Sequence, residues 1–238
     1  MEMKCRKEVR GILLGLFMLF LATGCRNAIT EEERAVPQEA EARATAANKE
    51  NEEKVDGDVL VGDYEYCFLE DGSAKIIKYT GNESVVFLPE KLEGKKVSVI
   101  GESAFQDNGQ VDQVVFSTGI TVVEDRAFEG CVELQYAFLN AGVREIGYRA
   151  FGGCFNLEEI TFPEGMTDIG AGIFEGCIGL EKIVLPQSMS SIDEDAFAEC
   201  TELQLVYGDS EFAEAYAEKE GKIYVDFNRI REEGSQVW

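Results

Sequence analysis

Ile146-Gly147-Tyr148-Arg149-Ala150-Phe151-Gly152-Gly153-Cys154-Phe155-Asn156-Leu157-Glu158-Glu159-Ile160-Thr161-Phe162-Pro163 is the stretch on which the fold turns. Its last part, Leu157-x-x-Ile160-x-Phe162, ends at a proline. Ile160 and Phe162 stand two apart, the spacing of a strand with one buried face. The segment from Tyr148 to Cys154 carries Ala150-Phe151 and breaks at a glycine pair, which suits one short helical turn. The same residue types return every 23 positions: Phe105, Phe128, Phe151, Phe174 and Phe197 form one column. Ile100, Val123, Ile146, Ile169 and Ile192 form a second, and Val111, Leu134, Leu157, Leu180 and Leu203 a third. A period of about 20 to 50 residues marks a solenoid, whose units bury their apolar faces only against their neighbours. A coil of this length has no room for a full helix besides a strand and two turns. The side away from the strand therefore holds one or two turns of helix at most.

The pattern I-x-x-x-A-F-x-x-C-x-x-L-x-x-I-x-F/L-P resembles the bacterial BspA-like class of leucine-rich repeats. The third and fourth units match it in full except for Ile173 at the alanine position. The second keeps Ala127-Phe128, Cys131 and Leu134, with Ala137 and Asn140 where isoleucine and proline are usual. The first has Asn108 in place of the cysteine, and the fifth dissolves after Val206 into Tyr207-Gly208. Atypical end units are expected, because they shield the core from water. The resemblance covers roughly residues 60 to 226. It implies an α/β leucine-rich-repeat solenoid of about five 23-residue coils, with short parallel strands on one side and short helical turns on the other.

The flanks read as closures for this stack. Tyr64, Tyr66 and Phe68 alternate with polar or small residues, Glu70-Asp71-Gly72 supplies a turn, and Ala74 to Tyr79 and Val85 to Leu88 follow as apolar runs. This resembles the β-rich region that precedes the first coil in the family, and residues 59–96 are expected to form an N-terminal β-strand cap. Repeats are expected over 97–208. Over 209–227, Asp209 or Ser210 caps a helix whose apolar stripe is Phe212, Ala215 and Tyr216, with Gly221 at the C′ position. Ile223, Val225 and Phe227 then alternate as a final strand, and 228–238 is a polar tail.

At the other end, Lys4, Arg6, Lys7 and Arg10 precede an apolar run from Gly11 to Ala22, followed by Thr23, Gly24 and Cys25. A basic start, a short apolar run and small residues describe a secretory signal, 1–24. The run is shorter than the ~20 apolar residues a membrane-spanning helix needs. Leu21-Ala22-Thr23-Gly24-Cys25 resembles a lipobox, with Ala22 standing where leucine is usual. That resemblance implies cleavage before Cys25 and a lipid on its sulfur, hence an extracytoplasmic protein anchored to the bacterial cell membrane or cell surface. Residues 25–58 are rich in Glu, Ala and Asn without an aromatic, and read as a disordered acidic linker with an r.m.s. span on the order of 30 Å.

Composition narrows the function. The net charge of −24 opposes nucleic acid, whose binding needs Lys and Arg on phosphates. The chain has no histidine, which removes Ser-His-Asp and Cys-His catalysis, HExxH hydrolysis and imidazole metal ligation. Its carboxylates are spread over outward repeat positions and no pair stands out, so no catalytic residue is assigned. Asp193-Glu194-Asp195 lacks the glycine and spaced glutamate of a calcium loop. No metal and no cofactor are expected. The column Cys131, Cys154, Cys177 and Cys200 supplies one thiol per coil without a C-x-x-C pair. It reads as a stack of small buried thiols rather than a disulfide framework or a metal ladder.

What remains is a surface. With Leu157, Ile160 and Phe162 facing in, one outward column reads Gln113, Tyr136, Glu159, Lys182, Leu205 and the next Val115, Phe138, Thr161, Val184, Tyr207. Tyr136, Phe138, Val115, Thr161, Lys182, Val184 and Tyr207 are the candidate binding residues, with Tyr136 and Phe138 as anchor. Two readings of the pair are open. Either the rings are displayed around an inward Ala137, or the second coil has slipped by one residue and buries them. Even a displayed pair serves either contact or only strand propensity. The family resemblance implies adhesion or protein contact, with a protein partner and membrane association through Cys25. The alternatives are an envelope-associated scaffold and a carbohydrate-binding or carbohydrate-active protein.

Overall fold

The structure, a computed structural model, describes residues 53–54 and 59–227. The signal segment, Cys25, most of the acidic linker and the 228–238 tail lie outside the described residues. Within them the chain winds as a succession of strands and turns, about six coils in all, and one helix. Each coil contributes a strand of three or four residues to a parallel front sheet. Its seven strands run in the spatial order Ile223–Asp226, Leu205–Gly208, Lys182–Val184, Glu159–Thr161, Tyr136–Phe138, Gln113–Val115, Val85–Phe87. Between Gln113 and Leu205 every step of the register is 23 residues, Tyr136 lying against Gln113 and Glu159, and Glu159 against Lys182. The repeat period of the sequence is thus the ladder spacing of the sheet.

A second parallel ladder runs along another side of the coil and was not foreseen from the repeat pattern. It joins Ala74–Tyr79, Lys95–Ile100, Val122–Val123 and Glu145–Ile146. Asp168–Ile169 and Ser191–Ile192 continue it as a separate pair. The helical turns read from the sequence are single turns closed by i→i+3 bonds, as from Cys154 N–H to Phe151 C=O at 3.2 Å. None lengthens into a helix, because left-handed backbone interrupts each one. Gly130, Gly153 and Gly176 take φ of 73°, 69° and 76°, and Arg126 and Arg149 take 57° and 52° four residues earlier in their coils. The turns bond across coils as well, Phe128 N–H donating to Ala150 C=O at 2.7 Å. Backbone pairing therefore runs along all sides of the solenoid.

The phenylalanine column forms its axis. Centroids of Phe105, Phe128, Phe151, Phe174 and Phe197 follow one another at 4.7, 5.2, 5.4 and 5.3 Å, and the middle steps are parallel to within 3°. Tyr79 adds a sixth ring, 4.9 Å from Phe105. Residues 74–96 accordingly have coil geometry: Ala74–Tyr79 enters the side ladder, Tyr79 the ring stack and Val85–Phe87 the front sheet. This coil is longer, with Val86 paired to Val114, a step of 28. The excess is taken up by the hairpin of Lys91–Leu92 with Lys95 and Lys96. Ahead of it, Tyr64–Phe68 pairs antiparallel with Ala74–Tyr79 through a turn at Asp71-Gly72, where Asp71 Oδ1 accepts from Ser73 N–H at 2.8 Å and Ser73 Oγ at 2.6 Å.

The departures from the repeat pattern each have a local reason. Asn140, at a proline position, donates to the Ser117 and Ile120 carbonyls at 2.7 and 3.0 Å, tying its coil to the one before. Asn108, at the cysteine position of the first unit, accepts from Gln110 and Val111 N–H at 2.9 and 3.0 Å. The four column thiols are free and buried. Each donates to the phenylalanine carbonyl of the preceding coil: Cys131 to Phe105, Cys154 to Phe128, Cys177 to Phe151 and Cys200 to Phe174, at 3.0 to 3.2 Å. On the turn side Arg149 joins three coils, meeting Glu129 at 2.6 Å and Glu175 at 2.5 Å. Those two partners hold its guanidinium charge firmly, Glu129 first.

At the far end Ser210 caps the helix Glu211–Lys219, accepting from Ala213 N–H at 3.2 Å. The expected stripe is rotated: Ala213 and Ala217 are the buried residues, Phe212 and Tyr216 are half-buried, and Ala215 is exposed. Gly221 has φ of 65°, and Lys222 N–H bonds Ala217 C=O at 2.8 Å in the manner of a helix C-terminal motif. Ile223–Asp226 then joins the front sheet beside Leu205–Gly208.

Candidate binding face

Strand alternation sets the front sheet's two surfaces. Val86, Val114, Ala137, Ile160, Ile183 and Val206 point into the core and are buried. Their neighbours point out. The second coil holds its register, so the slipped alternative does not arise: Ala137 is 6% exposed while Tyr136 and Phe138 are half-exposed. The two rings lie nearly parallel, 11° apart, with centroids 6.0 Å from each other. Tyr136 Oη donates to Glu158 Oε2 at 2.8 Å. Burial and then this carboxylate push the phenol above its ordinary value, so it stays a donor at neutral pH.

Val115, Thr161, Lys182 and Tyr207 share that outward face and are half-buried. Lys182 Nζ pairs with Glu159 Oε2 at 2.7 Å, and the Tyr207 ring lies 5.8 Å from Phe227. Val184 departs from the expectation. At 5% exposure it is buried, a short side chain in register between Thr161 and the larger Tyr207. It lends the face little contact area.

The face is longer than the sequence reading made it. Val85 and Phe87, 37% and 45% exposed, extend the two outward columns past Gln113 and Val115. Ile223 and Val225 extend them past Leu205 and Tyr207. The signal for the first extension was present: Val86-Phe87-Leu88-Pro89 has the I-x-L-P ending of a coil. It was hidden because its spacing to the next strand is 28 instead of 23. For the second, alternation had marked Ile223 and Val225 as a strand but not its place beside Leu205, which it reaches after only 18 residues, with the helix in place of the usual turns.

A second surface lies on the side ladder. An open groove of about 670 Å³ sits where the ladder is interrupted between Glu145–Ile146 and Asp168–Ile169. Glu102, Glu124, Asp125, Glu145 and Asp168 line it, with Arg144 as its cation. That guanidinium is committed to the Ala141 and Val143 carbonyls, both at 2.8 Å. Among the described residues no group of three or more Cys, Asp or Glu side chains is placed to hold a metal ion.

Comparison with known proteins agrees with this geometry. A family model described as the BspA type leucine rich repeat region matches residues 89–214 in six copies. The leucine rich repeat protein of T. pallidum is similar in structure, with a TM-score of 0.59 and 32% identity over 61% of this chain and 68% of that one. A leucine rich cell surface protein from Faecalibacterium prausnitzii A2-165 gives a TM-score of 0.59 and 26% identity, over 71% of this chain and 42% of its own. The chain thus spans about two thirds of the first and less than half of the second. Curated proteins give no match.

Proposed function

Since the chain belongs to the BspA-type leucine-rich repeat family, we propose that it is a lipid-anchored, extracytoplasmic protein that binds another protein through its front sheet and carries out no catalysis. The repeats supply a surface for protein interaction. The observation that carries the reading is the outward apolar strip of that sheet, running from Phe87 through Val115, the Tyr136–Phe138 pair and Tyr207. Rigid aromatic anchors on a pre-formed sheet lose little conformational freedom on binding, which favours affinity. The extracytoplasmic setting is supported by the signal-like residues 1–24 and by the F. prausnitzii relative, which is described as a cell surface protein.

Pull-down from extracellular extracts with the wild type and with Tyr136→Ser/Phe138→Ser tests the surface. The expected result is a partner retained by the wild type and reduced at least about tenfold by the double variant, whose melting temperature stays unchanged because both rings face out. Equal retention by the two chains would refute the front-sheet reading. The anchor has its own check. The wild type expressed in a bacterium is expected to partition into detergent with a lipid-modified N-terminal cysteine, and Cys25→Ser to remain unmodified and aqueous. Equal partitioning of both would remove the anchor.

A further inference from the structure

The neighbourhood of the Tyr136–Phe138 pair specifies more than an apolar anchor. Tyr136 draws Glu158 onto its hydroxyl from the next coil, and Glu159 and Asp112 act on the same phenol. Glu181 follows one coil further on, in the column that Glu158 begins. Of these carboxylates Glu159 is paired with a cation, Lys182 Nζ at 2.7 Å. Glu158 meets no basic side chain among the described residues, and its carboxylate is exposed. Two nearly parallel rings thus lie beside a group of carboxylates and an apolar column that leads away along the sheet.

Aromatic faces carry a negative quadrupole and attract guanidinium and ammonium groups, most strongly where a carboxylate is also in reach. Arginine meets both demands at once, since its planar fork stacks on a ring while its edge donates to a carboxylate. An anionic or neutral polar partner gains neither contact and pays to desolvate Glu158 and Glu159.

We infer that the front sheet takes an extended, basic segment of a protein partner, placing an arginine or lysine on Tyr136 and Phe138 with its charge on Glu158, and its neighbouring apolar side chains on Val115 and the column beyond. This deepens the proposed binding function and rests on it. Charge complementarity of this kind sets selectivity and on-rate, and weakens as salt shortens the screening length.

Panning a random dodecapeptide library on the full chain tests the inference. Peptides retained by the wild type are expected to be enriched about threefold in Arg and Lys over the input, next to apolar residues. The enrichment is expected to vanish on Glu158→Gln, which leaves the Lys182–Glu159 pair in place, and retention itself to fall on Tyr136→Ser/Phe138→Ser. Basic peptides held equally well by the ring variant would mean diffuse attraction to an acidic molecule and would overturn the inference. So would a wild type that retains no peptide. Peptides that depend on the rings yet show no basic enrichment would also overturn it, while leaving the front-sheet binding reading intact.

Discussion

Phe151→Ala is expected to destabilise the solenoid by about 3–5 kcal/mol, enough to unfold much of it under mild denaturant. The ring is fully buried and has stacked neighbours on both sides, Phe128 at 5.2 Å and Phe174 at 5.4 Å, each parallel to it within 3°. Removing it deletes transfer free energy and leaves a cavity that neither neighbour can close, because backbone bonds between successive turns fix the coil spacing. Phe197→Ala is the contrast: that ring is half-buried at the end of the column and stacks on Phe174 at 5.3 Å. Its loss is expected to cost less than half as much, as a partly exposed site can relax. Urea unfolding of the two variants beside the wild type measures the difference. Equal effects would mean that the column does not act as a continuous core.

The second large effect is alkaline. Burial pushes the Cys131 thiol up to about 12, and Cys177 and Cys200 are likewise held above the ordinary range, Cys177 by burial first and Cys200 by its contact with Cys177. These groups are protonated in the folded state where the unfolded chain has released its protons. The folded state therefore binds more protons, and stability falls as pH rises through the window from about 8.5 to about 12. At pH 10 the Cys131 thiol alone removes about 2 kcal/mol, and Cys177 and Cys200 act in the same direction. Below pH 8 the thiols make no difference to the slope. Urea midpoints measured under reducing conditions at pH 7.5, 9 and 10 are expected to drop steeply over the last two. Cys131→Ser keeps a donor for the Phe105 carbonyl but does not ionise in this range, so its curve is expected to be shallower by about one proton. A midpoint that is flat to pH 10, or equally steep in Cys131→Ser, would show that the thiol column is open to water.

Much of the candidate face is legible in the sequence. Gln113, Tyr136, Glu159, Lys182 and Leu205 sit side by side because a 23-residue period in the chain is a fixed step in a parallel ladder. Strand alternation then assigns inside and outside, which is why Ala137 is buried between two displayed rings. Burial of Val184 was not legible, since alternation gives the direction of a side chain and not the size of its neighbours. Nor were the partners of Tyr136: Glu158 reaches it from 22 positions away, a side-chain choice that depends on how two adjacent coils stack.

The chain by itself therefore determined the coil length, the ring and thiol columns, the inward positions and the parallel front sheet. Each follows from a strict repeat, in which every unit must bury the same positions against its copy. The tertiary structure decided what falls outside the repeat. Tyr79 stands 26 residues before Phe105, so no 23-residue column contains it, yet packing makes it the ring of an additional coil. The hairpin at Lys91 to Lys96 and the helix Glu211–Lys219 lengthen and shorten the end coils, and only the front sheet keeps Val86 and Ile223 in line with the rest. The side ladder and the thiol-to-carbonyl bonds belong to the same class: their partners are backbone atoms of neighbouring coils, which a pattern of side-chain types does not encode.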